Sequence, residues 1–436
     1  MKPARVATGR SIRGRGLLGL LLTAAVATGC VATACRPAEE APPPPVPSTP
    51  PEPAPAEEPA AAEEPRRGLW VLAEGAVQVL NDPARIPVLL QQARALGASD
   101  LFVQVYRGGR AWYDASLADP APYRENLERH GVDTLALLLE QAHAAGFRVH
   151  AWVNVLSLSR NAKAPIVSDL GRDVVLSDRQ GRSLLDYPGY DVPQPDRRYY
   201  RMGTPGVYLD AAAPGVDARL TATFAELLSR YPALDGLHLD YIRYPDVLPF
   251  APGTRFGVGL DFGYGASTRA RFLEETGKQA PIGDSLRNAN AWDRWRRDRL
   301  SSLVADIASE ARRVRPGVVL SAAVWTYADR GYLVLGQDWR RWLEDGSLDV
   351  AIPMSYTVDD RLLRYQAEHF SGLPVGDRIW MGLGSWLFAK NPARAVRQVE
   401  ILDTAGVRNR VLFSYDSIVT EPALFEALRV EAPGGE

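Results

Sequence analysis

Asp235-Gly236-Leu237-His238-Leu239-Asp240-Tyr241-Ile242-Arg243-Tyr244-Pro245 is the stretch whose reading decides the fold. Residues two apart on a strand share a face. His238 and Asp240 therefore point one way, and Leu237, Leu239 and Tyr241 the other. A strand with leucines on one side, and ionisable groups on the other up to its C-terminal end, suits a parallel barrel. The leucines meet helices and the polar side climbs toward a functional mouth. The plainer alternative is a strand end whose Asp caps a loop or pairs with Arg243.

The rest of the chain repeats this unit. Apolar β-rich runs at 68–74, 100–106, 148–155, 236–243, 318–325, 349–356, 378–386 and 410–418 alternate with amphipathic helical segments. The helical segments are 83–97, 133–146, 215–231, 290–315, 338–345, 359–370, 392–405 and 421–429. Eight β/α pairs predict an α/β protein, a single closed (β/α)8 TIM barrel over 67–436. Gly97, Gly146 and Gly406 stand where helices should stop. A doubly wound sheet would need a glycine-rich phosphate turn after the first strand, and 69–75 supplies none. Two connections are long, 156–214 after strand three and 246–289 after strand four. Both are rich in Tyr or Phe, and both open on the expected functional face. Most of those rings are expected to pack the loops down.

The N-terminal residues read differently. Lys2, Arg5, Arg10, Arg13 and Arg15 precede a short apolar core at 17–26, the pattern of a signal peptide over 1–35. The segment ends Ala27-Thr28-Gly29-Cys30, like a bacterial lipobox, although Ala27 replaces the usual Leu; Ala32-Thr33-Ala34-Cys35 repeats it. Cys30 is the expected lipid anchor, with Cys35 the alternative, and membrane attachment follows as an expectation. Ordinary cleavage, leaving a soluble secreted protein, is the alternative. Residues 36–66 are almost entirely Pro, Ala and Glu and should form an extended, disordered spacer.

Composition narrows the chemistry. The 436-residue chain carries a formal net charge of −2, so a nucleic acid is not an expected partner. Its two cysteines precede the barrel, and its five histidines form no His-x-x-x-His pair, so neither thiolate chemistry, zinc nor any other cofactor is expected. Parity taken from the last polar group of each strand turns a set of residues inward. These are Glu74, Gln104, Tyr106, His150, Trp152, Asn154, His238, Asp240, Trp325, Met354 and Tyr356. Ser385 or Trp386 on strand seven, and Ser414 and Asp416 on strand eight, complete it. Carboxylates and aromatic rings on a barrel rim suggest glycoside chemistry. That reaction pairs one carboxylic acid with a second carboxylate. Asp240 is the first candidate, read as the carboxylate because Arg243 is nearby. Glu74 ranks first for the acid, with Asp119 and Asp416 as the others. Arg107 and Arg243 would orient a carboxylate or an anion, and Trp152, Trp325 and Trp386 would stack on sugar. Asp240→Asn is expected to cost little stability.

The segments Arg67-Gly68-Leu69-Trp70-Val71, His150-Ala151-Trp152-Val153-Asn154, Asp235 to Pro245 and Pro353-Met354-Ser355-Tyr356 resemble the glycosyl hydrolase-like family 10 proteins, exported bacterial (β/α)8 domains. The resemblance covers everything after Arg66. It implies hydrolysis of a glycosidic bond, with bacterial cell-wall glycan such as peptidoglycan strands as the expected substrate. It also implies Asp240 as the central acidic residue, with Gln104, Arg107, His150, Trp152, Asn154 and Tyr356 around it. Many relatives carry a second Asp where this chain has Tyr241. After Ser116 this chain has Asp119 but lacks the usual Trp. The second carboxylate therefore stays open. The rival expectation is a noncatalytic glycan-binding barrel.

Overall fold

The computed structural model describes residues 64–249 and 260–430. The expected signal segment with Cys30 and Cys35, nearly all of the spacer, and Phe250 and Phe256 of the second long loop lie outside the described residues.

Eight parallel strands close into one barrel: β1 Arg67–Val71, β2 Asp100–Arg107, β3 Arg148–Asn154, β4 Gly236–Asp240, β5 Val319–Trp325, β6 Val350–Met354, β7 Met381–Gly384 and β8 Arg410–Phe413. Their order around the barrel is their order in the chain, and β1 closes it by pairing with both β2 and β8. Helices α1 Arg85–Ala95, α2 Thr134–Ala144, α3 Val216–Arg230, α4 Ala289–Val314, α5 Trp339–Glu344, α6 Asp360–Ser371, α7 Pro392–Thr404 and α8 Pro422–Leu428 follow the strands in turn. The protein is thus a TIM barrel.

The alternation on β4 places its residues as the pleat requires. Leu237 and Leu239 are fully buried in the large apolar layer between strands and helices. The inner face of the barrel is a separate aromatic core, in which Trp70, Phe102, Trp152 and Ile352 meet Phe413. Gly236 makes room within it: a Cβ there would fall 2.0 Å from Nδ1 of His150.

Two local departures change which side chains face inward. The β2–β3 register shifts between Gln104 and Tyr106, so Val105 is an extra residue and parity flips beyond it. Gln104 stays inside, while Tyr106 turns outward and meets the edge of Phe224 on α3 at 5.5 Å. At the other end of the sheet the expected strand over 410–418 stops at Phe413. Ser414 caps a helix over Tyr415–Val419: its hydroxyl accepts from the Ser417 backbone N–H at 3.3 Å, and its own N–H donates to Ser417 Oγ at 3.0 Å. Phe413, rather than Ser414, therefore faces the interior.

The two long loops are tied together. Tyr200–Met202 from the first pairs antiparallel with Val247–Pro249 from the second. Most of their described aromatic rings are buried in the loops themselves. Tyr187 donates its hydroxyl to Asp178 at 2.7 Å, and Tyr264 lies 5.3 Å from Trp292. Tyr199, by contrast, is exposed.

Candidate active site

Neighbouring strands bring the inward groups into layers. Near the floor, His150 stacks on Phe102 at 4.6 Å and its Nε2 lies 3.1 Å from Oδ1 of the buried Asp100. Above it, His238 is enclosed: Nε2 accepts from the indole of Trp70 at 3.0 Å and Nδ1 lies 2.9 Å from Ser321 Oγ. Burial, with the nearby His150 adding to it, drives the His238 pKa well below the usual imidazole range. Both histidines are thus packed beneath the functional mouth, and neither lines it.

The top layer opens into a cavity of about 500 Å³ at the C-terminal ends of the strands. Register sets its base, since Gln104 pairs with Trp152, and Asn154 with Asp240. Gln104 Nε2 donates to Asn154 Oδ1 at 3.1 Å, fixing both amides. Asp240 is the one carboxylate on the cavity wall among the described residues. Its Oδ2 accepts from Trp152 Nε1 at 3.2 Å. Its Oδ1 accepts from the Tyr241 backbone N–H at 2.6 Å and from the Arg243 guanidinium at 3.2 Å.

The chain must leave β4 sharply for this to happen. Tyr241 adopts φ +52°, a left-handed conformation uncommon for a non-glycine residue. It thereby swings out of the strand alternation onto the cavity wall, and Arg243 folds back over its ring at 4.3 Å. Burial opposes the Arg243 charge, but Asp240 and the ring hydroxyls of Tyr241 and Tyr208 outweigh it, and the guanidinium pKa is raised. The centre is therefore a nearly buried ion pair with an aromatic floor.

Much of the remaining wall is aromatic. Trp325, Tyr356 and Trp386 line the cavity. Tyr356 meets Trp386 edge-on at 4.8 Å. Burial, together with the negative charge of Asp240, pushes the Tyr356 pKa well above the usual phenol range, so it stands as a neutral hydroxyl. Trp386 is 39% exposed, the most open of these rings to a ligand. Gly384 gives it space: a Cβ there would come within 2.5 Å of the Trp386 ring.

The other sequence candidates are placed elsewhere. Tyr106 is outside the barrel, as described. Asp416 sits in the first turn of the short helix over Tyr415–Val419, where it accepts from the backbone N–H groups of Val77 at 2.8 Å and Leu72 at 3.3 Å, pinning the loop after β1. Asp119 lies just before the helix over Ala121–His130, where its carboxylate closes a turn by accepting from the Ala121 N–H at 3.0 Å. Glu74 lies beyond the end of β1, in a groove of about 560 Å³ next to the cavity. Its Oε1 accepts from Arg110 at 2.7 Å and its Oε2 lies 2.9 Å from Arg107 Nε. Arg107 lines both spaces.

Several cavity residues were not named from the sequence. Trp70 and Phe413 form the inner wall, and Gln366 reaches in from α6 with its Oε1 lacking a protein partner. Trp70 shares the parity of Glu74 on β1 and was legible on that ground. Gln366 belongs to a helix whose outer layer gives no sign of reaching the mouth.

A barrel with a carboxylate–guanidinium pair and aromatic rings at its C-terminal mouth has the architecture of glycoside hydrolase domains. The family model described as glycosyl hydrolase-like 10 matches residues 65–368, and the chain belongs to that family. Glycosyl hydrolase DigH of Escherichia coli strain K12 is 27% identical over 326 residues, covering 66% of this chain and 65% of that protein. Glycosyl hydrolase YngK of Bacillus subtilis strain 168 is 24% identical over 285 residues, covering 62% of this chain and 48% of that protein. The chain therefore matches less than two thirds of the length of either relative. Among solved structures, the PgaB (BpsB) glycoside hydrolase domain from Bordetella bronchiseptica aligns with a TM-score of 0.58 at 15% identity. That alignment covers 85% of this chain and all of that domain, a likeness of fold.

Proposed function

We propose that the protein hydrolyses a glycosidic bond within a polysaccharide bound in the central cavity, with Asp240 as the working carboxylate. The observation that carries this reading is the setting of Asp240: a carboxylate held by three donors, facing a cavity of about 500 Å³ walled by aromatic rings. A fixed negative charge opposes the positive charge that develops at the anomeric carbon in an oxocarbenium-like transition state. Trp386 and Trp325 offer flat faces for sugar rings, and the Gln104–Asn154 pair and Gln366 offer polar groups for their hydroxyls. The substrate class is a cell-envelope polysaccharide, peptidoglycan glycan strands first among them. The N-terminal signal and Cys30 would place the enzyme at the envelope by a lipid anchor.

Glu74 is poorly placed to serve as the general acid. Both of its oxygens are engaged by guanidiniums, and it stands outside the lining of the cavity that Asp240 faces. That single-carboxylate cavity favours a second reading, a barrel that binds glycan without cleaving it. Incubation with a panel of purified glycans, including peptide-free peptidoglycan strands, separates the two. New reducing ends support hydrolysis, whereas binding without any product supports the second reading and overturns the first.

A further inference from the structure

The groove beside the cavity has its own chemistry. It shares Arg107, Asn154, Thr204 and Tyr241 with the cavity, so the two spaces adjoin. Beyond that shared wall it is lined by Arg110 and Arg160. Three guanidiniums face one carboxylate, Glu74, which leaves a surplus of positive charge in a space large enough for a sugar ring. Glu74 shows that the groove already holds one carboxylate between Arg107 and Arg110. Arg160 is exposed and has no ion-pair partner among the described residues.

The segment that carries Arg160 is fixed. Asn161 donates its side-chain amide to the Gly108 carbonyl at 2.8 Å. Ser159 accepts through its carbonyl from the Val207 N–H at 2.7 Å, and the Leu158 N–H donates to the Val207 carbonyl at 2.8 Å. An unpaired cation on a pinned loop beside a binding cavity has no evident structural task.

We infer that this groove is a subsite for an acidic sugar, and that Arg160 together with Arg110 binds the sugar's carboxylate while the neighbouring neutral sugar lies on the aromatic wall of the cavity. The guanidinium fork matches a planar carboxylate, and charge-assisted pairs add selectivity as well as affinity. The polysaccharide read in this way alternates neutral and carboxylate-bearing sugars and lies in one direction across the mouth. The inference rests on the cavity being the glycan site proposed above.

The test uses the full chain with peptide-free peptidoglycan strands, which carry free lactyl carboxylates, and the same strands after those carboxylates are converted to neutral amides. The wild type should show a kcat/KM for the acidic strands about tenfold above that for the amidated ones. Arg160→Ala should bring that ratio down to about threefold or less, and Arg160→Lys should keep most of it, since the charge remains. The wild-type ratio should also shrink as salt is raised. Equal kcat/KM for the two strands, or a ratio untouched in Arg160→Ala, overturns the subsite. Should neither strand be cleaved, the hydrolase reading fails by itself. Calorimetric Kd values for the same two strands then decide the subsite by the same ratio.

Discussion

The indole N–H of Trp70 donates to Nε2 of His238 at 3.0 Å, across the inside of the barrel. Nε2 is therefore the acceptor nitrogen, and the proton of the neutral ring sits on Nδ1, where it donates to Ser321 Oγ at 2.9 Å. Protonating Nε2 would set two donors against each other in a fully buried site. Burial accordingly holds the native imidazole far below its ordinary value near 6.5. The unfolded chain titrates near that ordinary value. Below it the unfolded state binds the extra proton, so the stability present above about pH 6.5 is lost as pH falls toward the folded pKa. Between about pH 7.5 and 5.5 this one group should lower stability by about 1.4 kcal/mol. Nitrogen-15 spectra of the imidazoles check the cause: His238 should keep the neutral Nδ1–H signature at pH 5.5, and an imidazolium there would refute the assignment.

Asp240→Asn should lose about a hundredfold or more of turnover, because the negative charge that faces the reacting carbon is gone. Stability should also fall, which departs from the sequence expectation of little cost. Arg243 is only 8% exposed, and among the described residues its ion-pair partner is Asp240. Removing that charge leaves a buried guanidinium unpaired, at about 1–3 kcal/mol with the amide still able to accept one hydrogen bond. Thermal unfolding measures the second effect, and glycan binding, retained through the untouched aromatic wall, measures whether the cavity survives. A variant with full turnover would remove Asp240 from the reaction.

Glu74→Gln should retain turnover within about threefold and change stability by less than about 1 kcal/mol. Its side chain is 38% exposed, and partly exposed ion pairs contribute little. A hundredfold loss of turnover with an intact fold would instead make Glu74 the general acid and show that Arg107 and Arg110 release it on substrate binding.

The anchoring proposal has its own measurement. Cells given labelled fatty acid should label the wild-type chain and not Cys30→Ser, and only the wild type should sediment with membranes. Label persisting in Cys30→Ser and vanishing in Cys35→Ser would move the anchor to Cys35; an unlabelled, wholly soluble wild type would end the proposal.

The barrel was legible because its signals are local and repeated. Alternating leucines on β4, glycine stops after helices, and the β/α rhythm all report on a few neighbouring residues at a time. What failed was parity carried past a strand's true end. Val105 bulges, so Tyr106 lies on the wrong side of a rule that holds for Gln104. β1 ends at Val71, three residues before Glu74, so the strand does not aim that carboxylate at all. Ser414 and Asp416 look like strand-end polar groups, yet a cap turns them into the start of a helix. The roles of Asp416 and Asp119 depend on which backbone N–H groups arrive beside them. For Asp416 those groups come from more than 300 residues earlier in the chain, a separation that no local pattern records.

Gly384 has no side chain, and the ring of Trp386 occupies the room this leaves. Calibre and chemistry are therefore held by different positions. The residue that decides how far the ring can swing is not the residue that would meet a sugar, and neither is the residue that carries the charge. An added methyl at 384 would meet the rings of Trp386 and Tyr356, not Asp240, Arg243 or the amide pair. Descent along this fold has a means of admitting slimmer or bulkier chains that leaves the bond-breaking centre alone, and the place to look for that drift among relatives is a silent position on β7.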